Sequence, residues 1–162
     1  MSDSRLDLHD AFRLPAGGGA ELTLQARTEI LRRLVDLLDP AAAQRFDLSR
    51  TRRYLGVLAE AGDHARLAEI AGNESEQLQE HGLTPFIERL LGRLSHNEDL
   101  PVSARFWYLD ALAFWQIQAE RSDLAEPLIQ EMARLLDGED LGPRARGALM
   151  MKEVHLRALQ AT

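Results

Sequence analysis

Phe106-Trp107-Tyr108-Leu109-Asp110-Ala111-Leu112-Ala113-Phe114-Trp115 is the stretch around which the rest of this chain has to be arranged. It holds five of the nine aromatic residues, and Asp110 is its one charged side chain. At helical spacing it is apolar on every side, so it must be covered on most sides, by its own domain or by a partner. Two faces can be drawn on it: Phe106, Leu109, Ala113 and Ile117 form one, and Tyr108, Leu112, Trp115 and Ala119 the other. Large aromatics on a central helix are usually core. The expectation is therefore split: one face fills the core while Trp107, Tyr108 or Trp115 meets a partner, as Trp and Tyr do at interface hot spots. Asp110 has Phe106, Trp107, Ala113 and Phe114 as its helical neighbours. A carboxylate there is partly desolvated, so either an Arg from an adjacent helix or a narrow wet strip along the helix is expected beside it. A ligand-gripping or catalytic acid is the alternative.

Outward from this segment the chain reads as helices and breaks. Before it, Thr84-Pro85 marks a helix start, with the Thr hydroxyl as cap and Pro at the first helical position. Phe86, Ile87, Leu90, Leu91 and Leu94 follow at helical spacing. Ser49 is the expected cap of a helix to about Ala61 that turns Tyr54, Leu55, Val57 and Leu58 inward. Gly62-Asp63 then leads to a short helix ending near Gly72. Residues 73–82 are rich in Glu and Gln and suit a short, wet helix. Leu24 to Leu38 carries a helical apolar pattern that Asp39-Pro40 ends, and residues 41–46 suit a short helical turn. After the aromatic stretch, Asp123 and Glu126 have capping-box spacing, with Pro127 close behind. A last helix is expected over roughly Pro143–Leu159. No segment alternates with period two for long enough to make a strand. The fold class is all-α: six to seven helices in antiparallel hairpins, as a helical-repeat-like bundle or short α-solenoid. Residues 1–19, with Pro15 and Gly17-Gly18-Gly19, read as a flexible leader or strap, and residues 20–162 as a single all-α domain.

Ala59-Glu60-Ala61-Gly62-Asp63-His64-Ala65 lines up with Ala119-Glu120-Arg121-Ser122-Asp123-Leu124-Ala125 at an offset of 60 residues. Each follows a helix with aromatic residues and precedes a shorter one. Over residues 49–71 and 104–136 this form resembles a degenerate tetratricopeptide-type helical hairpin, which implies a helical-repeat-like architecture. That family repeats at about 34 residues, and no clamp position of it is recognisable here, so no ligand-binding residue is carried over.

Length and composition set the outer bounds. The 162 residues suit one domain with a real core, and the 45% hydrophobic content suits a folded chain. With no cysteine, disulfides, thiolate nucleophiles and thiolate metal sites are excluded. No apolar run is long enough to span a membrane, so no membrane partner is expected. A polar N-terminal run without an apolar signal core suggests a cytoplasmic protein. The 18 Arg against one Lys, Lys152, point to a GC-rich coding sequence and a bacterial source.

The net charge of −7 is unevenly spread. Residues 73–142 hold 14 acidic and 5 basic side chains, a balance of −9, while residues 143–162 hold 1 acidic and 4 basic, a balance of +3.

Few constellations carry chemistry. None of His9, His64, His81, His96 and His155 has a Glu three residues before it, so the Glu-x-x-His unit of di-iron bundles is missing. Neither a metal nor a cofactor is expected. Gly17-Gly18-Gly19 lacks the Lys-Ser/Thr that a phosphate loop needs. The sequence points to a protein–protein interaction module, an adaptor, chaperone-like or scaffold subunit, and not to an enzyme. Its expected partner is another protein or a second copy, and the contact candidates are Trp107, Tyr108, Trp115 and Asp110. The alternative is a small helical subunit of a nucleoprotein complex. It would touch nucleic acid through Arg50, Arg52, Arg53, Arg144, Arg146, Lys152 and Arg157, although the net charge disfavours it.

Overall fold

A computed structural model describes residues 24–40 and 47–161. The expected leader at 1–19 and the turn at 41–46 lie outside the described residues. Among the described residues the chain is all-helical, with eight helices: α1 (Leu24–Leu38), α2 (Leu48–Ala61), α3 (His64–Asn73), α4 (Ser75–Glu80), α5 (Thr84–Ser95), α6 (Val102–Gln118), α7 (Ser122–Gly138) and α8 (Gly142–Gln160). Eight exceeds the expected six or seven. The Glu- and Gln-rich stretch is, as expected, a short helix, α4, set off from α3 by Glu74 at φ −103°, and it buries Ser75 and Leu78.

The starts of the helices differ from the expected caps in three places. Asp47, not Ser49, caps α2: its carboxylate accepts the Arg50 backbone N–H at 3.0 Å while Ser49 already lies in the first turn. Thr84 is the first residue of α5 and makes no capping bond, which puts Pro85 one position later. No capping box forms at Asp123 and Glu126, since α7 begins at Ser122 with Arg121 before it and no side-chain cap. Pro127 is carried inside α7 and does not delay its start.

The aromatic helix is the wall between two cores. α6 packs against α3 and α5 on one side and against α7 and α8 on the other. Its Tyr108, Leu112 and Trp115 join Tyr54, Leu55, Leu67, Ile87 and Leu91 in the larger core, built by α1 to α6. Its Phe106, Leu109 and Ala113 join Ile129, Met132, Leu135 and Leu156 in the smaller one, built by α6, α7 and α8. Nine of the 17 residues of α6 are buried, so the helix has almost no wet side. Of the two faces drawn from the sequence, Phe106, Leu109 and Ala113 and likewise Tyr108, Leu112 and Trp115 are buried, while Ile117 is half-buried and Ala119, just past the helix, is exposed.

Polar side chains fasten the elements. Arg50 closes the end of α1, donating from Nε to the Leu38 carbonyl at 3.1 Å and from its terminal nitrogen to the Leu37 carbonyl at 2.7 Å. Those carbonyls have no partner within the helix. Trp115 donates from Nε1 to the Ala71 carbonyl at 2.7 Å, in the last turn of α3. Arg105 of α6 donates to the Ser95 carbonyl at the end of α5 and lies 3.7 Å from Glu131 of α7. Bonds from Arg134 hold the Glu131 carboxyl below its usual range.

Candidate functional site

Tyr108 and Trp115 do not reach the surface. They are 0% and 1% exposed, so neither is placed to meet a partner in this structure. Their polar tips are also engaged. The Tyr108 hydroxyl and His64 Nδ1 share a hydrogen bond of 2.7 Å in the direction the imidazole tautomer sets, and Trp115 holds Ala71. Burial pushes the Tyr108 phenol well above its usual range, so it stays a neutral hydroxyl. His64, the first residue of α3, thereby links that helix to the aromatic helix.

Trp107 is half-buried. Its ring meets Phe106 edge-on at 5.2 Å, and the Arg144 guanidinium lies over it at 4.9 Å. It stands between two shallow grooves. One, of about 290 Å³, runs past Ala68, Glu69, Asn73, Asp110 and Arg144. The other, of about 350 Å³, runs past Asp63, His64, Pro101, Ser103 and Ala104. Of the four contact candidates, Trp107 and Asp110 border these grooves, while Tyr108 and Trp115 belong to the core.

Asp110 has its cation, but not the expected Arg. Lys152 of α8, the one lysine of the chain, donates to Asp110 Oδ1 at 2.6 Å. The two side chains are 11% and 21% exposed for Lys and Asp, respectively, and the ammonium also lies 5.7 Å from the centre of the Phe114 ring. An acid consumed in such a pair is a tie between α6 and α8. Lys152 is therefore not available to nucleic acid.

The remaining arginines are dispersed and several have local work. Arg50 caps α1 and Arg52 lies over the Phe86 ring at 5.0 Å, while Arg53 is exposed. Arg144 covers Trp107, Arg146 reaches Asp140 at 3.2 Å, and Arg157 is exposed. The first group rides on α2 in the larger core and the second on α8 in the smaller one. Among the described residues no group of three or more acidic or histidine side chains is placed to hold a metal ion. No described helix is long and apolar enough to cross a membrane.

The surface feature that sequence reasoning missed lies on α8. Ala145, Lys152 and Leu156 turn inward, while Met150, Met151 and Val154 on the opposite side are 65%, 55% and 58% exposed. Gly147 and Ala158 extend this strip along the helix and are exposed too. The signal was present in the letters. Residues 145–159 place apolar side chains on both faces of one helix, which a single packed face does not require. Comparison of the chain with protein-family models, with curated proteins and with solved structures finds no match in any of the three.

Proposed function

We propose that this chain is a protein-binding helical module, an adaptor, chaperone-like or scaffold subunit that presents the outer face of α8 to its partner. One observation carries the reading: Met150, Met151 and Val154 form an apolar strip in water on a helix whose opposite face packs on α6 and α7. Single exposed apolar residues are ordinary, but a continuous strip bordered by charge is characteristic of a contact surface. The aromatic helix that first suggests docking is spent on the two cores, which moves the proposed contact from α6 to α8.

The test uses the full chain and a Met150→Asp/Val154→Asp variant. Circular dichroism should show the same helix content and melting temperature in both, because the strip is already wet. Light scattering after size exclusion with candidate partners should then show an association in the parent that the variant lacks. Identical association by both proteins would overturn the reading.

A further inference from the structure

Resting on that reading, we infer that the occupant of the α8 face is an acidic amphipathic helix of another protein, and not a second copy of this chain. The charge around the strip selects this occupant. α8 carries Arg144, Arg146, His155 and Arg157 on its exposed sides, Arg144 lying also over the Trp107 ring. Its only acid, Glu153, is half-buried. At helical spacing Arg146 and Arg157 flank the strip on one side, and Arg144 and His155 on the other. Arg146 also reaches Asp140, but both side chains remain more than half exposed, so the guanidinium is still open to a second acid. Glu126 of α7 approaches the far end of α8 at Gln160, beyond the strip.

This arrangement works against self-pairing. If two α8 helices pair antiparallel, Arg146 and Arg157 of one face the same residues of the other. If they pair parallel, those arginines face the Arg144 and His155 side. Either way arginine faces arginine across an apolar seam, which costs free energy at flanking positions where opposite charges normally set the partner. A helix with apolar residues at three- and four-residue spacing and Glu or Asp beside them meets the strip and its rim together. Two adjacent methionines suit the strip to such a guest, since unbranched thioether side chains adapt to the shape they meet. The 19 residues of α8 span roughly 28 Å at 1.5 Å per residue, room for a partner helix of about five turns.

Two synthetic helical peptides test this, with the same leucine face and either glutamates or lysines beside it. Titration into the labelled full chain should show the acidic peptide binding about tenfold or more tightly than the basic one, with that preference fading as salt rises. Met150→Asp/Val154→Asp should abolish binding of the acidic peptide. Arg146→Glu/Arg157→Glu should reverse the preference. Light scattering should show a monomer, and vesicles of phosphatidylserine and phosphatidylcholine should not retain the chain. Equal binding of both peptides, or a preference that the charge reversal leaves in place, overturns the acidic partner. A dimer that Val154→Asp dissolves also overturns it but keeps the protein-binding reading. Retention on vesicles that Val154→Asp abolishes, or no binding of either peptide by a monomeric chain, overturns both.

Discussion

At the residue scale the Lys152–Asp110 pair is the most informative contact. Two nearly buried charges 2.6 Å apart gain little over an apolar pair of the same shape, but each becomes costly if the other is removed. Lys152→Met alone should therefore destabilise the fold by about 2–4 kcal/mol, and Asp110→Asn/Lys152→Met should recover most of that loss. Denaturant melts of the single and double variants read this directly; equal losses in both would mean that Lys152 acts by packing and not by charge. Sequence reasoning foresaw a cation at Asp110, because a carboxylate among Phe106, Trp107 and Phe114 demands one. Which cation arrives depends on how α8 crosses α6, and no local pattern encodes that crossing.

At the scale of elements, the ends of the helices separate what the letters show from what the backbone does. α2 ends with Gly62 at φ 75° and a bond from the Asp63 N–H to the Leu58 carbonyl. α6 ends the same way, with Glu120 at φ 57° and the Arg121 N–H on the Gln116 carbonyl. These are equivalent left-handed stops, and they lie 58 residues apart, while the matching letters lie 60 apart. The sequence echo is thus two residues out of register with the turns, which is why Asp63 caps α3 whereas Asp123 falls inside α7. Glu120 does with a side chain what Gly62 does without one, and left-handed backbone penalises any residue with a Cβ. Glu120→Gly should raise stability by up to about 1 kcal/mol, measured as a higher denaturation midpoint at unchanged slope. A lower midpoint would show that the Glu120 side chain makes a contribution that outweighs the strain. Helix positions were legible because apolar spacing dictates them. Caps were not, since Asp47, Ser49 and Thr84 are all competent and the docking of each helix selects among them.

For the whole molecule, α6 is shared by two cores, and this makes one cooperative unit out of what could be two. Removing bulk from either side should lower a single transition: Ile87→Ala in the larger core and Met132→Ala in the smaller should each cost about 2–5 kcal/mol. Circular dichroism and tryptophan fluorescence should still give coincident curves. A variant that splits the transition in two would show that the halves fold separately. The overloaded aromatic segment was legible as the centre of the fold. That both of its faces are covered was not, because the sequence does not say how many neighbours a helix has. On α8 the letters show apolar residues on both faces, but which face stays wet depends on where the neighbours of α8 are placed. The account stands or falls on the burial of α6 on both sides, and Trp115 reports it. In a Trp107→Phe variant, with Trp115 as the sole tryptophan, native emission should be blue-shifted and almost insensitive to iodide until the chain is unfolded. Red-shifted native emission that iodide quenches freely would place Trp115 in water and contradict the account.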